Sequence, residues 1–115
     1  MNRLDLVHAI IETDKNLSSV GFNVIDDILI ERQCETVQDL VKKIIDGLFI
    51  SIYTAPEQRV FQYKDRIREF TCHVNALVSY KLEDMVEHNE KTHDEASRFA
   101  RNELGTLLKP LIKLC

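Results

Sequence analysis

The sequence predicts an all-α fold, an irregular helical bundle of about five helices with one long central helix, and two observations carry that prediction. Across residues 54 to 88, Val60, Tyr63, Ile67, Phe70, Val74, Val78, Leu82 and Met85 recur at steps of three or four with no Gly or Pro between them. That spacing keeps side chains on one stripe of a helix. The second is the scarcity of turn residues: three glycines and two prolines in 115 residues are too few for the many tight turns of a sandwich or barrel. Hydrophobic residues at 44% and charged residues at 30% fit one globular domain over residues 1–115, long enough to bury its own core.

The first helix starts at Asn2, with Asp5 three residues on as a capping pair, and Leu4, Val7, Ile10 and Ile11 form an apolar face ending near Asp14. Residues 16–21 read as a loop. Asn23 then caps a second short helix that buries Ile25, Ile28 and Leu29, while the alternation of Val20, Phe22 and Val24 leaves a short extended piece as the alternative. Gln33, Cys34 and Glu35 interrupt the pattern. Thr36 and Asp39 make a second capping pair, with Val37, Leu40, Val41, Ile44, Ile45, Leu48 and Ile52 behind it as a central, buried third helix running to about Tyr53. Residues 48–53, rich in β-branched and aromatic side chains, would suit a strand, but no partner strand is evident.

Thr54, Ala55, Pro56 and Glu57 are a strong helix start, combining a capping threonine, a proline in the first turn and a glutamate that closes the box. A helix over residues 54–88 is about 50 Å long, so it bends or something covers its end. Its stripe keeps heptad steps as far as Val74 and then takes a stutter, beside the poor helix formers Thr71, Cys72, His73 and Asn75; a bend near His73 is expected. After His88 and Asn89, Thr92 and Glu95 repeat the capping pair, followed by Ala96, Phe99, Ala100, Leu104, Leu107 and Leu108. Pro110 should end or kink this last helix, and the apolar tail 111–115 then packs back on the body or joins an interface.

Three cysteines, Cys34, Cys72 and Cys115, with no CxxC spacing predict free thiols in a reducing compartment. Cys72, between Phe70 and Val74, is expected to act as a small buried hydrophobe. Asp5 and His8 interrupt any signal-peptide core and no apolar run approaches bilayer length, so a cytoplasmic protein with no membrane partner is expected. A net charge of -4 disfavours nonspecific nucleic-acid binding.

That charge is uneven: residues 83–95 hold six acids (Glu83, Asp84, Glu87, Glu90, Asp94, Glu95) against one base, Lys91. Glu83, Asp84, Glu87, His88, Glu90 and Asp94 form a candidate interaction surface. Asp84, His88 and His93 are a weaker metal alternative: Asp84 and His88 are an i, i+4 pair, and Glu90 with His93 has the ExxH spacing of di-iron bundles. The facing helices offer almost no further carboxylates, so a solvated acidic turn is the preferred reading and no cofactor is expected.

Arg68 and His73 stand at the Arg-x4-His spacing used by the helical HEPN ribonucleases, where an arginine holds the phosphate and a histidine moves the proton. Glu69 stands where that family usually has a small polar residue, so no family is assigned. Arg59, Lys64, Arg66 and Arg68 form a basic strip, but Glu57, Asp65 and Glu69 interleave it as a salt-bridged surface would. No Ser-His-Asp order, phosphate loop, HExxH or paired CxxC is present. The expectation is therefore a small non-enzymatic helical interaction protein, an adaptor, inhibitor or regulator that binds another protein. A homodimer through the surplus stripe of the long helix is expected with it. The alternatives are a small helical ribonuclease or hydrolase using Arg68 and His73, or a nucleic-acid-binding regulator using the basic strip.

Overall fold

The computed structural model describes residues 2–47 and 63–115, and every regular element among them is helical. Three helices begin at a reciprocal capping box. Asn2 opens α1 (Arg3–Ser18), Thr36 opens α3 (Val37–Ile45) and Thr92 opens α5 (His93–Asn102), with Asp5, Asp39 and Glu95 reaching back to the cap amides. Each box satisfies two amides that a helix start would otherwise leave unpaired. Between them lie α2 (Val24–Glu31) and the 25-residue α4 (Tyr63–Glu87), and two single turns, α6 (Leu104–Leu107) and α7 (Lys109–Ile112), finish the chain.

The helix ends are equally specified. After α1, Gly21 takes φ 91°, the Phe22 amide donates to the Leu17 carbonyl at 2.9 Å and the Gly21 amide to Ser18 at 3.1 Å. This paired closure satisfies the last carbonyls and brings two sealed apolar side chains, Leu17 and Phe22, together. The same closure recurs after α2 on Gln33 (φ 57°) and after α4 on Asn89 (φ 58°), where the Cys34 and Glu90 amides donate to Leu29 and Met85 at 2.8 Å. Gly47 (φ 76°) stops α3.

α2, α3 and α7 each pack against both α1 and α4, so the core lies around these two helices. The stripe read for α4 holds: Ile67, Phe70, Val74, Val78 and Leu82 are buried, and Tyr63 and Met85 are half-buried. At about 1.5 Å per residue α4 is about 37 Å long, close to the 40 Å longest dimension of the molecule. The helix continues without interruption through His73. Thr71 there satisfies its hydroxyl on the Ile67 carbonyl at 2.8 Å.

Several expectations need correction. α1 runs a turn beyond Asp14 to Ser18, and its buried face is Leu6, Val7, Ala9, Ile10, Thr13 and Leu17, with Leu4 and Ile11 exposed. The segment offers two overlapping apolar stripes, and α1 turns toward the core the one that α2, α3 and α7 can cover. α3 is buried on Leu40, Val41 and Ile44 and packs on both α1 and α4. α3 ends at Ile45 instead of continuing to Tyr53; Leu48, Ile52, the 54–57 start, Val60 and Arg59 lie outside the described residues. Val20, Phe22 and Val24 belong to a turn and a helix start, with no extended piece. Cys72 is exposed. All three cysteines are free.

The last expected helix is divided into α5, α6 and α7. The Leu111 amide bonds to the Leu108 carbonyl at 3.0 Å, leaving the Leu107 carbonyl for Asn16 Nδ2 at 3.2 Å. Pro110, with no amide to give, sits at the start of α7. The breaks turn Leu104, Leu108 and Leu111 inward, and the tail packs back: Cys115 Sγ lies 3.7 Å from Thr71 Oγ1 on α4.

Candidate interaction surface

The most distinctive surface is built where α4 gives way to α5. The Asn89 closure and the Thr92 box place only five residues between the two helices, so α5 folds back along α4 as an αα-hairpin. α5 nevertheless buries none of its residues. Ala96 and Phe99 pack on the core from half-buried positions, and Phe99 meets Phe22 with ring centroids 5.4 Å apart at 40°. A helix held this lightly leaves part of the adjoining α4 surface uncovered.

The uncovered part is a groove of about 410 Å³. α4 lines it with Ser79, Leu82, Glu83, Val86 and Glu87, and α5 with His93, Ala96, Ser97 and Ala100. Both sets follow the i, i+3, i+4, i+7 spacing of one helix stripe, so the groove runs along the two helix axes. Leu82, Val86, Ala96 and Ala100 supply an apolar floor; Glu83 and Glu87 supply an acidic wall.

The charge on that wall is unfavourable for the helix that carries it. The last turn of α4 has no basic residue, and Glu83, Asp84 and Glu87 crowd the end where the helix dipole is negative, a position that favours cations. Among the described residues, none of Glu83, Asp84, Glu87 and Glu90 is in an ion pair. Asp94 differs, since it pairs with Arg98 one turn on. His88 donates from Nδ1 to the Asp84 carbonyl at 2.8 Å, so its ring closes the helix end. All six residues of the expected interaction surface are exposed.

The other candidate sites are not assembled. Five residues apart, Arg68 and His73 are separated by about 140° around α4. Arg68 is exposed and pairs with Asp65 at 2.9 Å, while His73 is buried. Burial lowers the His73 pKa and the nearby Arg32 charge lowers it further, with Glu31 and Glu69 opposing. Of the basic strip, Lys64 is exposed, Arg66 is half-buried and Arg68 is paired with Asp65. Among the described residues, no three His, Cys, Asp or Glu side chains come together as metal ligands, Asp84, His88 and His93 included.

The acidic residues are legible in the sequence and the groove floor is not, because Leu82, Ala96 and Ala100 lie on helical stripes that carry no sign of being left uncovered. Their spacing was visible; that α5 leaves Ala100 exposed was not. No family model, curated protein or solved structure matches the chain.

Proposed function

We propose that this chain is a small non-enzymatic interaction protein that binds another protein through the α4–α5 end. One observation carries the reading: a well-capped ten-residue helix packs without burying a single residue, and so leaves an apolar groove beside unpaired acids. A fold that needed α5 only for stability would gain by sealing its apolar face and by placing bases, not acids, in the last turn of α4. Departures from both local rules at one place are typical of functional surfaces.

The proposed surface includes Glu83 and Glu87 of the acidic patch read from the sequence and adds an apolar floor to it. The homodimer expectation rests on surplus stripe along the long helix, but the stripe residues Ile67, Phe70, Val74, Val78 and Leu82 are buried within one subunit. The proposed contact surface is therefore the groove, not the stripe.

The test is affinity capture from native cell extract, comparing the wild-type chain with the Glu83→Lys/Glu87→Lys double variant by quantitative mass spectrometry. Both positions are exposed, so the fold should survive, and circular dichroism checks that it does. The expected result is a small set of proteins enriched by wild type and lost with the variant. Enrichment indifferent to the two reversals, or none at all, overturns the reading.

A further inference from the structure

We infer that the occupant of the α4–α5 groove is a short amphipathic helix of a partner protein, apolar on one face and lysine- or arginine-rich on its flanks. The inference rests on the proposed function and specifies the partner chemistry that the groove fits.

Shape is the first argument. From Ser79 to Glu87 the α4 wall advances about 12 Å at 1.5 Å per residue, room for roughly two turns of a docked helix. The opposite wall offers Ala96, Ser97 and Ala100, small side chains that let a third helix approach closely, since interaxial distance follows the side chains at the contact. With two stripes of helical period as walls, the matching ligand presents anchors at i, i+3 or i+4, and i+7, the helix-in-groove mode of recognition. The modes that seat an extended peptide need a strand edge, an aromatic-lined groove or a cluster of arginines; every regular element among the described residues is helical, and the groove lining holds no Phe, Tyr or Trp and no Arg or Lys.

Charge decides between helices of different composition. The apolar anchors would cover Leu82, Val86, Ala96 and Ala100, while the flanks would run beside Glu83 and Glu87, with Asp84 and Glu90 just beyond. Seating apolar surface here removes water from around those carboxylates and strengthens whatever charge interaction they make. Cationic flanks turn this into attraction and also relieve the repulsion between acids and the α4 dipole. Acidic flanks would do the reverse. The groove is short, so the contact belongs with small transient interfaces, micromolar or weaker in affinity.

The experiment titrates the ¹⁵N-labelled full chain with a synthetic 14-residue helix of leucine and lysine in helical repeat. Two controls accompany it: a scrambled peptide of the same composition, and the same repeat with glutamate for lysine. The inference expects saturable shifts at amides of residues 79–87 and 93–100, weakening at least several-fold between low and moderate salt. It expects little response to either control, and loss of at least tenfold in affinity for Ala100→Lys, whose unliganded spectrum should otherwise match wild type because Ala100 is exposed. Equal response to the scrambled peptide, shifts centred elsewhere, or no saturation up to millimolar peptide overturns it. If capture depends on Glu83 and Glu87 while this peptide leaves the groove amides unmoved, the occupant is wrong and the functional reading stands. If capture ignores the two acids, the functional reading falls whatever the peptide does.

Discussion

The Phe99 ring rests on the Phe22 ring, 5.4 Å between centroids at an interplanar angle of 40°, and this contact ties α5 to the closure of α1. Phe22 is sealed in the core, whereas Phe99 is half-buried, and with Ala96 it attaches α5 to the core. Phe99→Ala should lower stability by about 2 kcal/mol, below the range for a fully buried phenylalanine. Hydrogen exchange should show the loss as faster opening of residues 93–102, with α1 and the first half of α4 little changed. Uniformly faster exchange would mean that α5 is an integral part of the core.

Two glycines should respond to alanine in opposite senses. Gly47 holds φ 76°, a backbone conformation strained for any residue that carries a Cβ, so Gly47→Ala should cost about 1–2 kcal/mol in urea unfolding. Gly105 lies in α6 at an ordinary φ with open space where the Cβ would go. Gly105→Ala should be stabilising by about 0.5–1 kcal/mol. Equal effects would contradict the described end of α3.

Stability should fall on mild acidification because of His73. Its pKa in the folded chain lies below the ordinary value of 6.5, from burial first and the Arg32 charge second. The unfolded chain therefore takes up the proton before the folded chain does. Above about pH 7 the ring is neutral in both states and adds no pH dependence; from about 6.5 downward stability declines until the folded state also protonates. His73→Leu should flatten that part of the profile of unfolding free energy against pH. Asp14 acts in the opposite sense at lower pH, since burial and the Asp26 charge raise its carboxyl despite the Ser18 hydroxyl, so folding then favours proton uptake.

Thiol labelling should rank the cysteines. Cys72 is exposed, while Cys34 and Cys115 are half-buried, so iodoacetamide under native conditions should modify Cys72 first, as read by peptide mass spectrometry. Preferential labelling of Cys34 or Cys115 would place Cys72 inside after all.

Helix starts were the most legible feature of the sequence, because a cap is a local arrangement of four residues: the Asn2, Thr36 and Thr92 boxes all form as read. The α4 stripe was legible for a similar reason, one period repeated over many turns. Cys72 could have been read correctly from that same stripe, since two residues after Phe70 is about 200° around the helix. α1 could not. Leu4 and Ile11 compete with Leu6, Ala9 and Leu17 on equal local terms, and only the arrival of α2, α3 and α7 decides between them. The end of α2 at Gln33 is legible as a break in the apolar pattern, whereas the division of the last helix at Glu103 and Leu108 is hidden in the same way as the α1 face. The acidic half of the candidate surface was visible as composition. Its apolar half was not, because an alanine on a helix carries no sign of whether a neighbour covers it.

The most direct test of the central claim is site-specific photo-crosslinking in native extract, with the photoreactive residue replacing Ala100 in the groove or, as the control, the exposed Lys15 on α1. A binding module working through α4 and α5 should give a discrete adduct with another protein from position 100 and none of comparable yield from position 15. Adducts of equal yield from both positions, or none from the groove, would contradict it.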